Sequence, residues 1–218
     1  MAKSPETTRA AARGAGKGLS RAEQVAERRR SLIDAALTVI ASQGLVGLTI
    51  EKIATAAKCS YGVVAFHFDS KDGIVLAALD QLVEDYERLR QRSIGRSSSP
   101  VARLLAMLAS DFHESVASQR RIAIWVSFWA ETARVQAYRE RCAQLKRRYD
   151  ETVAADLRAL AGLRGRKVDA ERAARALNAM IDGFWVGMLI SGKSTAGDRA
   201  AGREACLAFL RGFFPDDF

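Results

Sequence analysis

Apolar positions along the chain recur every three or four residues from Ala22 onward, and no run alternates like a strand for more than a few residues. That pattern predicts an all-α fold. Ile33, Ala36, Leu37 and Ile40 form a first stripe, closed by Gly44. Ile50, Ile53, Ala54 and Ala57 mark a short second helix with Thr49 as its N-cap. A third helix begins at Ser60, and a fourth begins near Asp69 and runs through Ile74, Ala78, Leu82, Tyr86 and Leu89. The Ser-rich segment 93–100, with one Gly and one Pro, is the clearest internal break. Beyond it the periodicity predicts helices over 100–118, 122–132, 135–160 and 169–191 and a last one to position 213, about nine in all. The expected organisation is a basic disordered arm over 1–20, a helix-turn-helix unit over 21–68, a connecting helix over 69–92 and a larger helical domain over 100–214.

The stretch 49–68 carries the most chemistry. Two helices of about two turns, joined by some three residues, make the unit in which one helix crosses the DNA backbone while the next enters the major groove. Ala54 is small where the two helices must approach. Ser60 can cap the second helix with its hydroxyl, and Cys59 and Val64 have the spacing of a hydrophobic staple. Cys59 is therefore read as a core residue. Turning about 100° per residue from an inward Val64 places Gly62 and Phe66 on the opposite side, flanked by Val63 and Ala65. A glycine there lets the backbone come close to DNA, and an outward Phe or Val can meet a thymine methyl. Tyr61 and His67 fall nearer the helix edges, within reach of phosphates. Lys71 stands in the first turn of the fourth helix, where free N–H groups and the dipole already favour a phosphate. Ordinary core packing of two short helices remains the alternative on the pattern alone.

Charge agrees with a polyanionic partner without selecting one. The 218 residues carry a formal net charge of +9, and residues 1–30 hold eight Lys or Arg against Glu6, Glu23 and Glu27. A membrane-surface or merely soluble protein has the same balance. Three scattered cysteines, Cys59, Cys142 and Cys206, fit neither a disulfide framework nor a metal spacing and point to a reducing cytosol. No apolar run approaches the length of a membrane span. Catalysis finds no support: His67 and His113 are the only histidines, no Gly-rich phosphate loop follows a strand, and no nucleophile–base motif is present. The fragment Asp111-Phe-His-Glu114 is expected on a solvated helix face, and no cofactor or metal is expected.

Residues 27–80 resemble the DNA-binding domain of the TetR repressor family. The matches are Arg28 to Arg30, Ala35-Ala36-Leu37, Gly44, Thr49, Ile53-Ala54, Ser60-Tyr61-Gly62, His67-Phe68 and Lys71, in the family's order. Two departures stand out. Lys58 occupies the family's turn glycine, which strains the turn if φ is positive there. Ala65, next to Phe66, replaces the aromatic that usually precedes the His-Phe pair. The resemblance implies a homodimer on double-stranded operator DNA, with Arg28, Thr49, Ser60, Tyr61, Gly62, Val63, Phe66, His67 and Lys71 as the DNA-contact set.

Trp125 to Ala130 and Ile181 to Trp185 are similar to the C-terminal domain of the BetI-type subgroup, which implies dimerisation and a small-molecule effector. In the predicted helix near position 180, Leu177, Met180, Ile181, Phe184 and Met188 form one stripe, and Asn178, Asp182, Trp185 and Leu189 a second. Gly183 and Gly187 would allow close helix approach. The effector candidates are Trp125, Trp129, Tyr138, Asp182 and Trp185. Aromatic faces with a carboxylate suit an organic cation, although another organic effector or plain core packing fits the same residues. Asp182 has the alternative of capping or pairing across a subunit interface. The expected function is a transcriptional repressor released by its effector; a transcriptional activator and a helical interaction protein without DNA binding are the rivals.

Overall fold

Ten helices and no strand occur among the described residues, 20–95 and 97–218, of the computed structural model, so the all-α expectation holds. The arm expected over 1–20 lies, apart from Ser20, outside the described residues. α1 (Arg21–Gln43) opens with a capping box: the Ser20 hydroxyl accepts from the Glu23 N–H at 3.3 Å and the Glu23 carboxylate accepts from the Ser20 N–H at 2.7 Å. Its first three turns are exposed and burial begins only at Leu32.

α2 (Ile50–Ala56) packs on α1 and α3 (Tyr61–His67) packs on α2, with Ile53, Ala54 and Val64 buried. The turn between them is a Schellman closure. The Cys59 N–H donates to the Ala54 carbonyl at 2.9 Å and the Lys58 N–H to that of Thr55 at 3.1 Å. Lys58 therefore occupies the left-handed position with φ 51°, and among the described residues no other non-glycine has positive φ. Ser60 sits at the N-cap of α3, but its hydroxyl makes no capping hydrogen bond. Its carbonyl serves instead, accepting from the Val63 N–H at 3.1 Å.

α4 (Lys71–Ile94) starts two residues after the expected Asp69, because Ser70 is the residue whose hydroxyl caps the helix, accepting from the Gly73 N–H at 3.1 Å. The single helix expected over 100–118 is two: α5 (Pro100–Asp111) and α6 (Glu114–Ala117). The chain leaves helical geometry at Phe112, and His113 reopens it, its Nδ1 accepting from the Ser115 N–H at 3.2 Å. Phe112 turns inward against Phe184 and Gly202, where an added Cβ would lie 2.5 Å from the Phe112 ring. A glycine there is what lets the last helix close over the break.

α7 (Gln119–Glu131), α8 (Gln136–Arg164), α9 (Ala170–Ser191) and α10 (Ala196–Arg211) complete the molecule. α8 runs four residues past the expected end, to Gly165 at φ 62°. α8 packs along α9, and both α4 and α7 pack on α1 as well as on the C-terminal helices. Ion pairs Arg141–Asp80 at 2.5 Å and Arg148–Glu87 at 3.0 Å fasten α8 to α4. On α7, Arg120 donates to the Thr38 hydroxyl of α1 at 2.9 Å. Among the described residues, no helix is long and apolar enough to cross a membrane.

Left-handed geometry costs a side-chain-bearing residue about 1–2 kcal/mol, part of which glycine returns through its freer unfolded chain. Lys58→Gly is expected to stabilise the protein by about 0.5–1 kcal/mol, read as a higher Tm in thermal unfolding.

Candidate functional site

Two regions hold the residues singled out from the sequence. In the first, Val64 and Phe68 are buried under α3, whereas Tyr61 is 56% and Phe66 78% exposed, with Gly62 and Ala65 open between them. An aromatic ring left this far out on a two-turn helix has no partner in its own subunit's core. His67 stands edge-on to Phe66 with ring centroids 5.2 Å apart, and it lines a groove with Arg21, Gln24 and Arg28 between the start of α1 and the end of α3. Val63, expected on the outward flank, is half-buried against the core. Thr49 caps α2, its hydroxyl accepting from the Lys52 N–H at 3.3 Å. Lys52 itself is committed to the Gln43 side chain and the Gly47 carbonyl, at 2.6 and 2.7 Å. Arg29 lies over the Phe68 ring, 4.6 Å from its centroid, whereas Arg28 and Lys71 face solvent.

The second region is a cavity among α4, α7, α8 and α9. Trp125, Trp129, Asp182 and Trp185 line it; Tyr138 does not. Tyr138 is buried elsewhere, edge-on to Phe128 at 5.5 Å. The walls outside the expected effector set include Tyr86, Cys142, Lys146, Tyr149 and Asn178. Trp129 and Trp185 are parallel within 2°, their centroids 6.4 Å apart, and Tyr86 presents its edge to both Trp125 and Trp185. The Lys146 ammonium lies 5.1 Å from the Trp129 centroid and is paired with the Asp182 carboxylate. Asp182 thus finds its counter-charge within its own chain. Burial raises its carboxyl above the ordinary range, and Lys146 pulls it back.

Asp111 corrects an expectation. It is fully buried, not on a solvated face, although Leu104, Leu108 and Asp111 share one helical stripe that would have placed it inside. The phenols of Tyr86 and Tyr149 donate to its two oxygens at 2.6 and 3.0 Å, and the Trp185 indole N–H donates to its carbonyl at 3.1 Å. Desolvation pushes the Asp111 carboxyl up to about 6, against the two phenol hydrogen bonds and the charge of the buried Arg90. Burial likewise drives both tyrosines well above their usual value and the Cys142 thiol up to about 11. No group of potential metal ligands occurs among the described residues.

Between about pH 4 and 6 the folded protein therefore keeps a proton on Asp111 that the unfolded chain, near 3.8, has already released. That contribution to stability is complete below about pH 4 and lost as pH rises through about 6. Relative to the native chain, Asp111→Asn should gain stability on going from about pH 4 to about pH 7, by about 3 kcal/mol at 1.36 kcal/mol per unit. Paired Tm curves measure this, and a pH-independent difference would refute it.

Comparison with known proteins places these two regions in a lineage. Residues 32–78 match the family model described as bacterial regulatory proteins, tetR family, and residues 100–215 match that of the BetI-type transcriptional repressor, C-terminal. A curated relative, the HTH-type transcriptional regulator BetI of Paraburkholderia phymatum, is 34% identical over 167 residues, which are 76% of this chain and 83% of the relative. Among solved structures, a putative transcriptional regulator from Pseudomonas aeruginosa superimposes with a TM-score of 0.75 at 26% identity, covering 86% of this chain and 90% of its own. A putative transcriptional regulator from Saccharomonospora viridis in complex with choline shares the fold, with a TM-score of 0.75 at 23% identity over 85% of this chain and 96% of its own. The exposed recognition helix and the helical domain behind it are those of a DNA-binding transcriptional regulator, and the chain belongs to the TetR family, in its BetI-type branch.

Proposed function

We propose that the protein is a homodimeric repressor whose two α3 helices enter successive major grooves of an operator, and which releases DNA when a small organic cation occupies the Trp125–Trp129–Trp185 cavity. The observation that carries the reading is the sharing of helices. Tyr86 on α4 and Trp125 and Trp129 on α7 line the cavity, and α4 and α7 are the helices that pack on α1 behind the recognition helix. A ligand that alters the spacing of these walls must alter the seat of α1, which supplies the differential contact that a release mechanism needs.

Three aromatic faces with a carboxylate at their edge favour a cation over an anion. Choline, seen in a neighbour of the same fold, is the natural first probe. For the dimer, the support is the outward face of α9. Ala179, Gly183 and Gly187 are exposed, a Cβ on either glycine would meet nothing within 4 Å, and Ile190 is left uncovered beside them. Asn178, Ile181, Asp182 and Trp185 occupy the cavity side of the same helix. In the DNA-binding half, Tyr61, Gly62 and Phe66 face base edges with the half-buried Val63 at their flank, while Arg28, Thr49, Ser60, His67 and Lys71 serve the phosphates.

Fluorescence anisotropy on a labelled fragment from upstream of the protein's own gene, with random DNA as competitor, tests this directly. One dimer is expected per specific site, with loss of binding on adding choline. Binding no better than to the competitor would overturn the repressor reading. Lys71→Ala is expected to weaken all sequences alike and reduce the salt slope by about 1, whereas Tyr61→Ala changes sequence preference. Equal loss of preference in both variants would refute that division of labour.

A further inference from the structure

The cavity is lined for a cation and is already holding one. Lys146 projects from α8 so that its ammonium is paired with Asp182 and lies 5.1 Å from the Trp129 centroid, inside the distance at which a ring face attracts a cation. Those are the two kinds of contact an incoming onium group would need. The space left beside it is only about 30 Å³, well below the ~150 Å³ of a cavity that admits a small organic ligand. Lys146 is also a partly exposed wall of the cavity. Its side chain is 38% exposed, whereas Trp125, Tyr149, Ile181 and Trp185 are buried.

We propose that Lys146 is a tethered resident cation: it fills the onium subsite of the unliganded protein, and an effector binds by exchanging with it, taking over Asp182 and Trp129 while the lysine swings to solvent. The proposal rests on the reading of this cavity as a cation site. The released ammonium has somewhere to go. Asp150 is four residues further along α8 and so on the same helical face, where its carboxylate accepts a hydrogen bond from Asn178 at 2.9 Å at the cavity's edge. Exchange of one monovalent cation for another leaves the cavity's net charge unchanged, so no buried charge is created or stranded by binding.

The exchange makes Lys146 an internal competitor, which sets the threshold concentration of effector. In Lys146→Met the stem length and apolar contacts are kept and the competing charge is removed. Binding of choline and of tetramethylammonium to the full-length protein, followed by quenching of tryptophan fluorescence, is expected to tighten by about tenfold in this variant. A second measurement needs no variant. Acetylation of Lys146 by an amine-reactive ester, read by mass spectrometry, is expected to accelerate in the native protein when choline is saturating.

Tighter binding by the variant together with faster acetylation supports the exchange. Equal affinity in the two proteins with unchanged acetylation leaves the cation reading standing and overturns the exchange alone. Weaker binding by the variant also overturns it, by making Lys146 a partner of the ligand. Failure of either protein to bind any onium ion overturns the cation reading and the exchange with it.

Discussion

The C-terminal helices converge on one buried carboxylate. Asp111 is the last residue of α5, and it ties Tyr86 of α4, Tyr149 of α8 and Trp185 of α9 to a single residue. Removing a carboxylate from water is expensive unless its lone pairs are satisfied, so α4 and α8, which contribute the phenol donors, are held in register by the penalty of losing them, while α9 is tied through the backbone carbonyl. This accounts for features that packing alone leaves arbitrary. The two cavity tyrosines cannot be phenylalanines without stranding Asp111, and α5 ends where it does because the chain must turn at Phe112 once Asp111 has been delivered to the interior. Arg90, buried on α4 with its Nε and Nη1 unpaired among the described residues, supplies the compensating charge from nearby.

In the proposed release mechanism, that anchoring is the link from a cavity in one half of the molecule to a helix in the other. Tyr86 is both a wall of the cavity and a ligand of Asp111, and α4 continues from it to Lys71 at the edge of the helix-turn-helix. α7 makes the second connection, with Trp125 and Trp129 at one end and Arg120 on α1 at the other. Close-packed interiors respond to an intruding group by shifting helices as bodies. With α4 and α7 both seated on α1, a shift of either changes the placement of α3.

Much of this was visible in the periodicity and some of it could not be. Helix stripes carried the architecture: α1 to α4, α7, α9 and α10 fall within a few residues of their expected limits because each has an apolar face and a recognisable cap or stop. The break at Phe112 was hidden because 100–118 keeps helical periodicity through it, and the packing of Phe112 against Gly202, ninety residues later, leaves no local sign. In the cavity, the tryptophans and Asp182 sit in two readable clusters. Tyr86, Tyr149 and Lys146 come from long helices where nothing local separates a cavity wall from a stripe residue or a solvated lysine. Tyr138 shows the converse: its aromatic character suggested the cavity, and its register on α8 sends it to Phe128. Lys58 was legible as an anomaly, since a lysine in a glycine's place is a statement about φ before any coordinates exist.

Two carboxylates, Asp182 in the cavity wall and Asp111 behind the cavity's tyrosines, differ in how each is held. The Asp111 carboxylate is held by the phenols of Tyr86 and Tyr149, and its backbone carbonyl by the buried Trp185 indole, so its partners are packed in place. Asp182 is held by a long, half-exposed lysine and a neighbouring ring, so its partner is exchangeable. A site with two fixed carboxylates would be rigid and indifferent to cations. One with two free ones would carry uncompensated charge whenever it stood empty, at a cost far above the few kcal/mol by which conformers of a switch differ. On the proposed exchange, one carboxylate locked beside α4 and the other on loan to Lys146 let the empty protein be stable and the occupied one be different.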